Sequence, residues 1–144
     1  MTWWQFLLAI LIASSIVVAT VIAERANTRA KRRVFENRMD VGARRSVKAF
    51  SDYTGYPPRL VIPAIRQIAS SLEVHPGLLR PQDNLSDIAG QLAGWELHDP
   101  FFRLLNLARK TDAQPLETLG DLAIWYMRCR MIRTSGSSGD RHMS

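Results

Sequence analysis

The stretch WWQFLLAILIASSIVVATVIA (residues 3–23) contains no charged side chain. As a helix it rises about 31 Å, which matches the roughly 30 Å hydrocarbon core of a bilayer. Trp3 and Trp4 stand at one end, where aromatic rings favour headgroup level. Residues 1–23 therefore read as a transmembrane anchor.

The charge that follows sets an orientation. Across residues 24–48, Arg25, Arg29, Lys31, Arg32, Arg33, Arg38, Arg44, Arg45 and Lys48 are opposed only by Glu24, Glu36 and Asp40, so this block carries the net +6 of the whole chain. No side-chain charge precedes Trp3. The positive-inside rule then places the N-terminus outside and everything after the anchor in the cytoplasm. A cleaved signal peptide is the rival reading, because Val21-Ile22-Ala23 ahead of Glu24 passes as a small-residue cleavage site. The missing basic n-region, the long apolar run and the basic block behind it, which resists translocation, all oppose that reading. Cys129 is the only cysteine, which excludes an internal disulfide framework and suits a reducing compartment.

Residues 24–56 read as a basic juxtamembrane stalk and linker. Phe35, Met39, Ala43, Val47 and Phe50 recur at spacings of four and three, which lines one face of a single amphipathic helix with arginines on the others. Three roles compete for the basic block: topology determinant, contact with anionic headgroups, and nucleic-acid contact. The membrane-surface candidates are Arg25, Arg29, Lys31, Arg32 and Arg33. Nucleic acid is the weakest partner, since the rest of the chain has neither a basic excess nor a recognisable binding motif.

Turn formers over residues 51–58 end the stalk, and residues 57–133 carry enough periodic apolar positions for one small core. Three main helices are expected there. The first starts near Pro63 and sets Ile65, Ile68, Ala69 and Leu72 on one face. A loop over 74–97 follows, with a short helical turn around 87–92. The second helix takes Asp99 as N-cap and Pro100 at its first position, turns Phe101, Leu104, Leu105 and Ala108 inward, and closes on Arg109 and Lys110. The third runs over about 118–132 with Leu119, Leu122, Ala123 and Tyr126 facing the core. No segment alternates with period two, so the expected class is all-α: an N-terminal transmembrane helix, a basic helical stalk and a small bundle of three to four helices. The tail, 134–144, is Ser, Gly and charge with little to bury and is expected to be disordered.

Catalytic constellations do not emerge. His75 and His98 lack a second ligand or nucleophile at useful spacing, Asp99 beside Glu96 and His98 already caps a helix, and Cys129 between Arg128 and Arg130 reads as an ordinary helix cysteine. There is no Gly-rich phosphate loop. No enzyme activity, catalytic residue, cofactor or metal site is expected.

Residues 72–85, Leu-Glu-Val-His-Pro-Gly-Leu-Leu-Arg-Pro-Gln-Asp-Asn-Leu, place Val74, Pro76, Leu79, Pro81 and Leu85 in a pattern that resembles the end of helix one and the following loop of acyl carrier proteins. Thr118-Leu119-Gly120-Asp121-Leu122 is similar to the start of that family's last helix. The two segments frame about 50 residues in the family's order, and the resemblance implies a carrier-like helical fold. It also implies a phosphopantetheine serine in an Asp-Ser-Leu setting at the head of helix two. The equivalent position here falls near Ala93, and Ser86, the nearest serine, lies too early and outside that setting. The family's second helix is acidic, whereas this one offers Arg103, Arg109 and Lys110. Carrier form without carrier chemistry is the expectation, a divergent acyl or peptidyl carrier being the alternative.

The third helix has a second apolar line, Ile124, Met127 and Met131, with Trp125 between it and the core stripe; it reads either as a wide core face or as a partner-binding surface. In the anchor, Ser15, Ala19 and Ala23 form a small-residue line compatible with pairing of two copies. The expected protein is a single-pass component of the cell membrane whose cytoplasmic domain binds an unidentified cytoplasmic or membrane protein, with an anionic-lipid surface role as a further alternative.

Overall fold

The apolar stretch enters the bundle without a break. In the computed structural model, which describes residues 2–91, 99–112 and 114–136, helix α1 spans Trp3–Phe35 and so includes both the apolar run and the first five bases. There follow α2 (Ala43–Thr54), α3 (Pro58–Leu72), a 3-10 turn (Pro76–Leu78), α4 (Leu85–Gln91), α5 (Pro100–Thr111) and α6 (Leu119–Gly136). The class is all-α; among the described residues the only sheet-like contact is one antiparallel bridge, Asn84 to Thr118. The most apolar window of α1 has mean hydropathy 2.8 and none of it is covered by the bundle. One N-terminal helix is thus long and apolar enough to span a membrane.

The stalk differs from the single helix expected over 35–50. Helix α1 stops at Phe35, residues 36–42 turn, and α2 starts after Gly42, whose φ of 85° lies in the left-handed region open to glycine. The turn is tied down at several points. Asp40 Oδ1 accepts from Gly42 N (2.8 Å), Val41 N donates to Gly77 O (3.3 Å), and the Arg80 guanidinium donates to Met39 O (3.0 Å). Arg38 lies over the Phe35 ring and reaches both Asp83 (2.6 Å) and Leu78 O (3.1 Å). Gly77 has to be glycine because a Cβ there would run into the Asp40 carboxylate and the Gly42 backbone. Phe35 and Phe50 are both buried, as their spacing suggested, but they arrive from two helices, and Met39 is left exposed in the turn between them.

The core therefore crosses the boundary drawn from sequence at 56 and 57. Phe35 and Phe50 join Ile65, Ile68, Leu72, Phe101, Leu105, Leu119 and Leu122 in one cluster. Burying each of these contributes about 1.5–3 kcal/mol relative to exposure. Helix α6 packs on α2, α3 and α5, and α2 also packs on α3 and the 3-10 turn.

Local chemistry sets the helix ends. Helix α3 begins at Pro58, after the extended Pro57, so Pro63 sits inside it and not at its start. It ends at Glu73 (φ 55°), with Val74 N returning to Ala69 O at 3.1 Å in the manner of a Schellman turn. At the head of α6, Asp121 Oδ2 accepts from Thr118 N (3.1 Å) while Thr118 Oγ1 accepts from Asp121 N (3.2 Å), a reciprocal cap. Helix α6 continues to Gly136, so residues 134–136 are helical where a disordered tail was expected, and 137–144 lie outside the described residues.

Gly120 lies under the Tyr53 ring, in the space a Cβ would occupy. Gly120→Ala should lower stability by about 1–3 kcal/mol through overpacking. Repeating the substitution in a Tyr53→Ala background, with urea unfolding as the readout, should remove most of that penalty, because the two side chains then no longer compete for one volume.

Candidate functional site

Two faces of the last turns of α1 carry opposite duties. Ala30, Lys31, Val34 and Phe35, spaced one, three and four apart, turn toward the bundle, where Lys31 and Phe35 are buried and Ala30 and Val34 partly so. Arg25, Arg29, Arg32 and Arg33 fall on the other face and are exposed.

Lys31 overturns part of the surface reading. Its side chain is 2 % exposed; Nζ lies 2.7 Å from Asp99 Oδ2 and donates to Ser71 O at 2.7 Å. Asp99, its side chain fully buried, performs the expected N-cap as well: Oδ1 accepts from Phe101 N (2.8 Å) and Phe102 N (3.3 Å). One carboxylate thus closes the head of α5 and neutralises the lysine, while Ser71 O belongs to the last turn of α3. Nearby, the Thr28 hydroxyl donates to Glu73 Oε2 at 2.8 Å, a second tie between α1 and the end of α3. Lys31 is a structural residue, not a membrane-surface one. The signal for it in the sequence is its place one position after Ala30 and three and four before Val34 and Phe35.

Between α1 and the chain leaving α3 lies a cleft of about 580 Å³. Arg29, Arg32 and Arg33 line one side and Glu73, Val74, His75 and Leu78 the other. His75 does find a partner that spacing did not reveal. Its Nδ1 is 2.7 Å from Asp40 Oδ2 and 3.2 Å from Gly77 N. One nitrogen cannot both donate and accept, and the shorter contact needs the proton on Nδ1, which makes Gly77 N a close neighbour only. Both side chains of this pair are about half exposed.

The partner-binding candidates separate in the structure. Trp125 (7 % exposed) and Met127 (2 %) belong to the core, and Trp125 Nε1 donates to Thr111 Oγ1 at 2.8 Å, joining α6 to the end of α5. Ile124 is partly buried against the same core. Met131 is 37 % exposed and Ile132, not singled out from the sequence, is 71 % exposed. In the anchor the Ser15 hydroxyl donates to Leu11 O at 2.8 Å within its own helix. Among the described residues no group of three or more His, Cys, Asp or Glu is placed to hold a metal ion. Ser86 is exposed in the first turn of α4, where Asn84 Oδ1 accepts from its backbone N at 2.8 Å; Ala93, Glu96 and His98 fall outside the described residues.

Removing one member of a buried ion pair leaves the other charged and unsatisfied, at a cost of about 3–5 kcal/mol. Lys31→Met alone should therefore strongly destabilise the bundle, read by chemical unfolding of the full chain in detergent. Adding Asp99→Asn should recover most of the loss, since asparagine still caps α5 without a buried charge. Asp99→Ala in place of asparagine should recover less.

Comparison of the chain with protein-family models, curated proteins and solved structures finds no match, so its function is read from the geometry above.

Proposed function

We propose that this chain is a single-pass protein of the cell membrane, N-terminus outside, whose cytoplasmic helical bundle works by binding another protein. The observation that carries this reading is the unbroken α1, apolar and uncovered over its first two-thirds and locked into the core at Lys31 and Phe35. No flexible tether separates anchor from bundle, so the bundle is held at the membrane in one orientation. The excess of Lys and Arg after Ala23 supports the inward direction, with Arg25, Arg29, Arg32 and Arg33 as exposed charges in the zone that sets topology. Met131 and Ile132 on α6 are the exposed apolar side chains that a protein partner would cover.

A carrier-like form for the bundle rests on the resemblance of two segments. The two segments that resemble acyl carrier proteins lie side by side: Leu85 N donates to Glu117 O (2.8 Å) and Leu119 N to Asp83 O (2.9 Å), around the Asn84–Thr118 bridge. Carrier chemistry is a poorer fit. The first turn of α5 reads Pro100, Phe101, Phe102 and Arg103, which offers no hydroxyl, and the Asp99 carboxylate ahead of it is occupied as cap and ion-pair partner. Incubation with coenzyme A and a broad-specificity transferase should leave the intact mass unchanged. A phosphopantetheine adduct abolished by Ser86→Ala would promote the carrier reading.

A reporter fused after Ser144 should behave as cytoplasmic. Replacing Arg25, Arg29, Arg32 and Arg33 together by glutamine should weaken or invert the orientation without unfolding the bundle. A reporter active only outside the cytoplasm, or a mature chain starting at Glu24, would overturn the proposal. Met131→Asp should reduce partner recovery after crosslinking in membranes while unfolding at the wild-type midpoint.

A further inference from the structure

Three arginines on one wall of the cleft have no ion-pair partner among the described residues. Arg29, Arg32 and Arg33 are exposed, share a helix face through spacings of three and four, and make no ion pair among the described residues. Arg38, also in the lining, is committed to Asp83, and Glu73 is held by Thr28. The cleft is therefore the place where unpaired arginines of the basic block meet an open, concave surface. Arg25, on the same face one turn nearer the apolar run, does not line it.

The position of the cleft along α1 identifies what it meets. Arg29 lies six residues beyond Ala23, or about 9 Å along the axis, and Arg33 about 15 Å. The headgroup layer is about 5–8 Å deep, and helical side chains lean toward the helix N-terminus, which here means toward the bilayer. Long guanidinium arms on these turns reach back into that layer. The wall opposite holds Glu73, and Glu36 lines the same cleft, so three free arginines face two carboxylates and the surplus is one positive charge. That excess of arginine suits an anionic phosphodiester. Guanidinium groups grip phosphate oxygens through paired N–H donors, and about 580 Å³ is within the range of small-ligand sites.

We infer that the cleft between the last turns of α1 and residues 73–78 binds the phosphodiester headgroup of an anionic phospholipid, through Arg29, Arg32 and Arg33. The inference rests on α1 spanning the bilayer, and it turns a general basic flank into a bounded lipid site. It separates residues that a diffuse attraction treats alike, because Arg25 is nearer the bilayer yet outside the cleft.

The test uses the full chain reconstituted in phosphatidylcholine bilayers, with spin-labelled phosphatidylglycerol and spin-labelled phosphatidylcholine reporting relative association. Wild type should select phosphatidylglycerol. Arg32→Gln should reduce the selection about tenfold, the loss of one charge-assisted hydrogen bond to a phosphate oxygen, while Arg25→Gln changes it less than twofold. Equal losses for Arg25→Gln and Arg32→Gln, or no selection by wild type, would overturn the site in favour of diffuse charge or none. Soluble glycerophosphoglycerol, the headgroup diester without acyl chains, should not displace the labelled lipid at matched concentration, and displacement would make the free phosphodiester the occupant. Failure of the chain to float with the vesicles at alkaline pH would count against the spanning helix itself, which separates that failure from loss of the lipid site.

Discussion

The structure hangs on one buried ion pair, Lys31 with Asp99. Withdrawing a lysine and a carboxylate from water costs several kcal/mol per ion, and their attraction offsets this only when geometry is close and the remaining donors and acceptors are used. Here Nζ has Asp99 Oδ2 and Ser71 O at 2.7 Å each, and Asp99 Oδ1 takes two backbone N–H groups of α5. The pair adds little over a well-packed apolar substitute, but it penalises every other docking of α1. A rotation by one residue replaces Lys31 at the buried position by uncharged Ala30 or by the bulkier, forked guanidinium of Arg32, and neither reproduces the contacts of Nζ with Asp99 Oδ2 and Ser71 O. The ends of three helices, α1, α3 and α5, are thus fixed to one another by a single lysine.

The same logic runs through the turn after α1. Arg38 and Arg80 use their guanidinium groups on Asp83 and on the backbone oxygens of Met39, Gly77, Leu78 and Leu79, so two bases of the chain act as local crosslinks. Gly77 and Gly42 let Asp40 and the turn come close enough for those bonds. The basic block is not one electrostatic object. Part of it is interior scaffolding, part loop bracing, and the exposed remainder is the arginine face of α1 together with Arg44, Arg45 and Lys48 on α2.

What the sequence disclosed follows from period and caps. The apolar run, the face Ile65, Ile68, Ala69 and Leu72, the Asp99-Pro100 start of α5 and the inward places of Leu119, Leu122 and Ala123 on α6 were legible, because each is a local pattern of spacing or of capping chemistry. Three features were not. Phe35 and Phe50 keep helical spacing across a break, since residues in two helices that pack on one core can preserve phase by coincidence, and Gly42 was the only local warning. Lys31 was indistinguishable by composition from its arginine neighbours, since its partner lies far along the chain at a residue whose capping role already accounted for it. Trp125 and Met127 looked surplus to a core counted from residues 57–133; with α1 and α2 adding their own faces, the core is larger and takes both.

The division of faces on α1 resolves a conflict that the sequence leaves standing. A helix whose bases all served the membrane would have no side to offer the bundle, and one docked all round would have no charge to set orientation. At 100° per residue, Arg25, Arg29, Arg32 and Arg33 fall within one arc, and Ala30, Lys31, Val34 and Phe35 within the opposite arc. Orientation and docking can therefore be changed separately. On the proposed topology, neutralising the outer arginines acts on the membrane side alone, whereas any substitution set that includes Lys31 also removes the countercharge beside Asp99 and confounds topology with folding. The anchor and the domain are one mechanical piece, joined where a basic helix turns its only buried lysine inward.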